Sequence, residues 1–223
     1  MIKQVVIIAG GDPELWPDLS PYALEETVWI GVDRGTLFGL EHGFPIERAV
    51  GDFDSLSDEE WQKIRRYIPK IEKCHVEKDD TDTQLGLLAA IEDYPKANYI
   101  LIGATGGRLD HLLANLWLPM QTRFQSFLGQ LFIKDSLNSV SYYRSGEYTI
   151  QKESDKTYLA YICLTEVVGL TLYDAKYTLD KAYFPLPFSL SSNEFVGDTS
   201  RFSFDDGFLA VIQSKDDEQA KRD

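Results

Sequence analysis

Aspartates gather in short clusters through the first half of this chain, each beside glycine or threonine: Gly51-Asp52-Phe53-Asp54-Ser55, Asp79-Asp80-Thr81-Asp82 and Gly106-Gly107-Arg108-Leu109-Asp110-His111. Each cluster falls where an apolar run gives way to a turn or a helix start. Carboxylate oxygens in such places bind hard cations, and hard cations carry phosphate. Anions crowded into one cleft repel each other unless a cation joins them. A nucleoside triphosphate is itself an anion, so the pattern points to Mg²⁺ and to nucleotide chemistry. Asp52 and Asp54 flank Phe53, and in an extended segment both carboxylates face one way. Thr81 or Asp82 caps a helix, which leaves the neighbouring groups at a helix N-terminus, where backbone N–H groups also receive phosphate oxygens.

The other candidate groups are weaker one by one. Gly103-Ala104-Thr105-Gly106-Gly107 has phosphate-loop character. It lacks the Gly-Lys-Ser/Thr ending of a Walker loop and the spacing of a dinucleotide fingerprint. Arg108 can take phosphate bidentately, although a lone arginine is more often an ordinary surface group. Of His42, His75 and His111, only His111 lies in a candidate site, where it hydrogen-bonds a nucleotide or Asp110. A single Asp-Phe-Asp-Ser is more often a turn or a cap than a metal site. The recurrence of acidic clusters lowers that simpler reading.

The elements that must position these groups show two textures. Up to about residue 125, strand-like and helix-like patterns alternate. Val5–Ala9, Thr27–Val32, Arg48–Val50, Cys74–Val76 and Tyr99–Gly103 read as strands. Ser57 three residues before Glu60 forms a capping box for a helix over Trp61–Tyr67. Leu85, Leu88 and Ile91 share one face of the next helix, and Leu109–Met120 reads as another. Alternating strands and helices predict a parallel sheet covered on both faces, with ligands at the carboxyl ends of the strands. After about Ser126, short Tyr-, Phe-, Val- and Thr-rich runs predict an antiparallel sandwich or barrel-like sheet. Ser145-Gly146 and Asp205-Asp206-Gly207 read as its hairpin turns. The domains are therefore 1–125 and 126–214, followed by a polar, flexible tail at 215–223.

Composition narrows the partners. The chain has 223 residues, 43% of them hydrophobic, enough for one large domain or two small ones. Its net charge of -14, from 22 basic and 36 acidic residues, repels nucleic acid and anionic membrane, so neither is an expected partner. The opening apolar run is too short to span a bilayer and has no signal-peptide cleavage site. Cys74 and Cys163 read as buried free thiols in a reducing, cytoplasmic setting. The four tryptophans, Trp16, Trp29, Trp61 and Trp117, are mostly core candidates.

The ordered set Asp33-Arg34-Gly35, Gly51-Asp52-Phe53-Asp54-Ser55, Asp79-x-Thr81-Asp82 and Gly106-Gly107-Arg108-x-Asp110-His111 resembles the bacterial thiamine pyrophosphokinases. Ser191-Ser192-Asn193-Glu194-Phe195 and the closing stretch to Ser214 resemble that family's C-terminal domain. The resemblance implies an N-terminal parallel α/β, Rossmann-like, nucleotide-binding catalytic domain and a C-terminal antiparallel β-sandwich that binds thiamine. It implies a cytoplasmic homodimer with the vitamin between subunits, and the reaction ATP + thiamine → AMP + thiamine diphosphate. By the same resemblance, Asp52, Asp54 and Asp79 hold Mg²⁺ and, with Asp82, form the catalytic set. Asp33, Arg34, Thr81 and Asp82 line the nucleotide and its phosphates, together with Gly106, Gly107, Arg108, Asp110 and His111. Ser192 and Asn193 contact thiamine. Arg34 stands where many relatives carry a second glycine. The rival readings are a pyrophosphokinase acting on a hydroxymethylpterin, a Mg²⁺-dependent nucleotide hydrolase, and a non-catalytic sensor of thiamine diphosphate.

Overall fold

The computed structural model describes residues 1–75 and 79–217. The chain divides into two compact units, one made of Met1–Gln125 with Gln130–Ser136, the other of Ser126–Gly129 with the chain from Leu137 onward. Among the described residues of the first unit, six strands form one sheet: β1 (Gln4–Ile8), β2 (Thr27–Val32), β3 (Ile46–Gly51), β4 (Lys70–Lys73), β5 (Asn98–Ile102) and β6 (Leu131–Lys134). Their order is β6-β5-β1-β2-β3-β4, and every pairing is parallel. Helices α1 (Arg34–Glu41), α2 (Asp58–Tyr67), α3 (Asp82–Asp93) and α4 (Leu109–Leu116) connect them.

Burial explains the near-continuous apolar sequence of β1. Val5, Val6, Ile7 and Ile8 are all fully buried, as a strand covered on both faces requires. Adjacent residues of a strand point to opposite faces. Helix α3 lies against Ile7 and Val32 through Gly86, whereas α1 lies against Ile8 and Ile46 through Gly39. The two helices therefore cover opposite sides. Close approach matters most at the start of α1, where a Cβ on Gly35 would lie 2.1 Å from the Ile8 carbonyl oxygen. Only glycine lets the helix begin directly beside the carboxyl end of β1.

The strand order has a functional consequence. The chain builds outward from β1 through β2, β3 and β4, then returns to the other side of β1 as β5 and β6. Such a reversal opens a crevice at the carboxyl ends of the two strands that flank it. Here those strands are β1 and β5, which run into Ala9-Gly10-Gly11 and Gly103-Ala104.

Several expectations change. The edge strand is Lys70–Lys73, not Cys74–Val76; Cys74 follows it, and Val76 is outside the described residues. Helix α4 ends at Leu116, and a separate 3-10 turn covers Leu118–Met120, with Pro119 breaking the α pattern. Trp16 and Trp29 are core residues, but Trp117 is 53% exposed. Cys163 is buried as expected, whereas Cys74 is only partly covered.

The second unit is antiparallel. It comprises β7 (Asn138–Gln151), β8 (Tyr158–Cys163), β9 (Val167–Leu172), β10 (Leu179–Phe184), β11 (Phe188–Glu194) and β12 (Thr199–Ser214). Strand β12 pairs with β7 along its length. Its first half also pairs with β9 and its second half with β8. Strands β10 and β11 extend β9 and β8 outward. Neither expected hairpin turn is a turn. Gly146 lies inside β7 and Asp205-Asp206-Gly207 inside β12. They face each other: Phe204 pairs with Gly146 and Phe208 with Arg144, so three residues of β12 oppose one of β7. Turn-forming residues here make a bulge, which bends a paired strand without ending it. The core packs Tyr161 edge-on to Phe202, centroids 5.3 Å apart, among Leu159, Leu170 and Leu209. Of the tail expected to be flexible, 218–223 lie outside the described residues. Lys215 is tied to the unit through its N–H to Leu137 O at 3.0 Å and its Nζ to Asp155 at 3.0 Å.

Candidate active site

The carboxyl ends of β1, β2 and β5 and the N-terminus of α3 enclose a cleft of about 450 Å³. Asp33 leaves β2 with φ 46° and ψ −125°, and its N–H donates to Val50 O at 3.0 Å. Its Oδ1 accepts from the Phe53 N–H at 3.3 Å. Gly51, at φ 150°, makes room for this carboxylate, because a Cβ there would lie 1.9 Å from Asp33 Oδ1. Phe53 is 5% exposed, has φ 58°, and packs on Trp61 with centroids 5.0 Å apart. Phe53 is thus the apolar anchor of the loop, and its left-handed backbone breaks the extended geometry expected for Asp52-Phe53-Asp54. Asp52 is half-buried, and its Oδ1 accepts from the Asp54 N–H at 3.2 Å, while Asp54 is exposed.

Helix α3 starts with a capping box. The Gln84 N–H donates to Thr81 Oγ1 at 3.3 Å, and the Thr81 N–H donates to Gln84 Oε1 at 2.8 Å. With Thr81 occupied as the cap, Asp82 in the first turn is left to face its neighbours. Asp33, Asp52 and Asp82 each offer an oxygen within 4.8 Å of the others. Burial pushes the Asp33 carboxyl up to about 7, Asp82 repels its negative form, the Phe53 N–H partly offsets this, and Asp52 adds further repulsion. Three carboxylates this close, one of them desolvated, make a donor set suited to a hard divalent cation. The triad joins Asp33 and Asp82 to Asp52, whereas Asp54 and Asp79 are not members of it.

Basic groups face the same cleft. Arg34 lines it and donates to Ser55 O and, at 3.3 Å, to Glu60 Oε1. Glu60 in turn accepts from the Ser57 N–H at 2.8 Å. Arg34 therefore straps the acidic loop to the start of α2. Gly106 and Gly107, at φ 75° and 63°, line the far wall with Arg108 and His111. Arg108 forms a two-point pair with Asp110, at 3.1 and 2.5 Å, which lowers the carboxyl pKa and raises that of the guanidinium.

The cleft also contains residues the sequence reading left out, Gly10, Gly11 and Thr83. Ser55 and Thr105, which it named only within their motifs, line it too. Gly10-Gly11 was legible only as a turn after a strand. Asn115 is buried and donates from Nδ2 to Ala104 O at 2.8 Å, holding the glycine-rich loop to α4. No local pattern marks that asparagine.

Ser192 and Asn193 lie in the second unit, on β11. Ser192 is exposed at φ 60°. Asn193 is 4% exposed. Its Oδ1 accepts from the N–H groups of Tyr177 and Glu194, each at 2.9 Å, and its Nδ2 donates to Tyr177 O at 2.8 Å. The amide of Asn193 thus stitches β11 to the loop between β9 and β10.

Comparison with known proteins agrees with both units. Residues 20–128 match the family described as thiamin pyrophosphokinase, catalytic domain, and residues 147–209 match the thiamin pyrophosphokinase vitamin B1 binding domain. The chain belongs to the thiamine pyrophosphokinase family. It is 38% identical over 217 residues to the thiamine pyrophosphokinase of Bacillus subtilis (strain 168), covering 96% of this chain and all of that one. A crystal structure of a family protein from Enterococcus faecalis superposes with a TM-score of 0.92 at 49% identity, over 96% of this chain and 100% of that one. The Geobacillus thermodenitrificans thiamin pyrophosphokinase superposes with a TM-score of 0.84 at 36% identity, over 96% and 99% of the two chains.

Proposed function

We propose that this chain is an ATP:thiamine diphosphotransferase, moving the β,γ-diphosphate of ATP to the hydroxyl of thiamine and releasing AMP. The observation that carries this reading is the Asp33–Asp52–Asp82 triad, set beside a glycine-lined cleft in a chain of this family. The hydroxyl oxygen forms a bond to the β-phosphorus as the bond from that phosphorus to the α,β-bridging oxygen breaks, AMP leaves with the bridging oxygen, and the hydroxyl proton is released to solvent. Such transfers depend on positioning and charge neutralisation more than on a covalent intermediate.

Each part of the cleft has a task in this reading. Asp33, Asp52 and Asp82 hold Mg²⁺, with Asp54 and Asp79 as neighbouring carboxylates. When bound there, Mg²⁺ supplies positive charge that offsets the phosphate oxygens. Gly106 and Gly107 let phosphate approach the backbone without side-chain hindrance. Arg108 stands where it can exchange Asp110 for phosphate, His111 lines the same wall, and the first turn of α3 adds the positive end of a helix dipole. Arg34 fixes the loop that carries Asp52. In the second unit, we assign thiamine to the face of β11 that exposes Ser192, with Asn193 shaping its backbone. The finer description is a Rossmann-like domain, expected over 1–125 and here completed by 130–136, and a thiamine-binding β-sandwich over the rest of 126–214, in a cytoplasmic homodimer with thiamine at the subunit interface. No helix among the described residues is long and apolar enough to cross a membrane.

The test is AMP release from ATP and Mg²⁺ with and without thiamine. Release that depends on thiamine and matches thiamine diphosphate formed supports the proposal. Release without thiamine supports the hydrolase, and binding of thiamine diphosphate without turnover supports the sensor; either result overturns it.

A further inference from the structure

One charged pair outside the triad ties the acidic segment to a distant part of the first unit. Asp80, between Asp79 and the helix cap Thr81, receives both terminal nitrogens of Arg123: Nη1 donates to Oδ2 at 2.9 Å, and Nη2 donates to Oδ1. Nε also donates, to Gln121 Oε1 at 2.9 Å, so all three nitrogens of the guanidinium make hydrogen bonds. The guanidinium carbon lies 4.9 Å from the centre of the Phe124 ring, and Phe124 is 1% exposed. Arg123 is thus held on one side by a core aromatic and along its edge by hydrogen bonds. It follows the 3-10 turn Leu118–Met120, in which Leu118 and Pro119 are buried.

The arrangement is mechanically specific. The capping box sets where α3 begins, but it does not set the direction from which the chain enters. Asp80 is two residues before Asp82, so its side-chain anchor controls that entry. A bidentate arginine–carboxylate pair fixes two points and a plane, which one flexible ammonium cannot do. We propose that Arg123 is a positioning residue: through Asp80 it holds the acidic segment so that Asp82 stays within reach of Asp33 and Asp52. This rests on the proposed reaction for its catalytic meaning, but its structural claim concerns the assembly of the triad.

The test uses the full-length protein with Arg123→Met, Arg123→Lys, Asp80→Asn and the Arg123→Met/Asp80→Asn double variant. Mn²⁺ binding to the nucleotide-free protein is read from the loss of the free-ion paramagnetic resonance signal. Steady-state kinetics give kcat and the KM for thiamine and ATP, and circular dichroism checks folding. Arg123→Met and Asp80→Asn should each weaken Mn²⁺ binding by about tenfold, and the double variant should be worse than either by less than about twofold, the non-additivity of a contacting pair. The turnover number should fall with the loss of Mn²⁺ binding while the thiamine KM stays near that of the parent. Arg123→Lys should recover only part of the loss. Should Arg123→Met fail to fold, the same comparison of Mn²⁺ binding is made with Asp80→Asn. Unchanged Mn²⁺ binding in the folded variants overturns the proposal. So do independent, multiplicative losses, or a raised ATP KM in Arg123→Met with a normal Asp80→Asn, which would make Arg123 a phosphate contact. Because Mn²⁺ binding is read without turnover, these outcomes remain distinct from absence of thiamine-dependent activity.

Discussion

Replacing Asp33 with Asn removes one negative charge from the triad while preserving an oxygen that can accept from the Phe53 N–H. The Asp33 carboxyl is pushed from 3.8 to about 7, by burial first and then by repulsion from Asp82. At about 1.4 kcal/mol per pH unit, the whole displacement corresponds to about 4 kcal/mol against the charged form. Asp33 is only half-buried, and solvent screening brings the expected effect on folding down to about 1–2 kcal/mol. Across this window the folded protein keeps a proton that the unfolded chain has released. The stability contribution is therefore full below the ordinary aspartate range and is lost as pH rises through about 7. Urea denaturation of both proteins in EDTA, at about pH 5 and about pH 8, reads the difference directly. The parent should lose about 1–2 kcal/mol more than Asp33→Asn across that interval. Adding Mg²⁺ at the higher pH should restore the parent more than the variant. Parallel pH dependences for the two proteins, with equal responses to Mg²⁺, would refute the idea that Asp33 carries the strain of a preassembled anionic site.

Two other substitutions probe how the site and the second unit are built. Gly51→Ala places a Cβ 1.9 Å from Asp33 Oδ1 at a backbone φ of 150°; it should cost about 1–3 kcal/mol in urea denaturation and weaken Mn²⁺ binding. Stability and Mn²⁺ binding equal to the parent's would show that the loop yields without moving Asp33. Asn193→Ala leaves the N–H groups of Tyr177 and Glu194 without their side-chain acceptor; it should lower unfolding stability by about 1–3 kcal/mol, whereas Ser192→Ala should change it by less than about 0.5 kcal/mol. Equal stabilities for the two variants would contradict the structural role given to Asn193.

Much of the first unit follows from local rules. The buried runs at β1, β2 and β5, and the Ser57–Glu60 and Thr81–Gln84 boxes, are short-range signals that the tertiary structure preserves. The acidic loops were legible because polar and glycine residues interrupt apolar runs at strand ends. The second unit shows the limit of such rules. Gly146 and Gly207 look like turn formers, but pairing between Val140 and Ile212, and between Ile150 and Ser200, holds both strands together past the bulge. Ladder bonds on either side outweigh a local preference to turn.

The residue types alone determined that this chain carries clustered carboxylates at strand ends, a phosphate-compatible glycine loop, and an anionic surface. They did not determine which carboxylates meet. Asp33 and Asp82 are 49 positions apart, and Asp80 and Arg123 are separated by 43. Their proximity depends on strand order, on the reversal beside β1, and on Phe53 turning its loop inward. Those are consequences of burying apolar surface across the whole sheet, and no window of neighbouring residues contains that information.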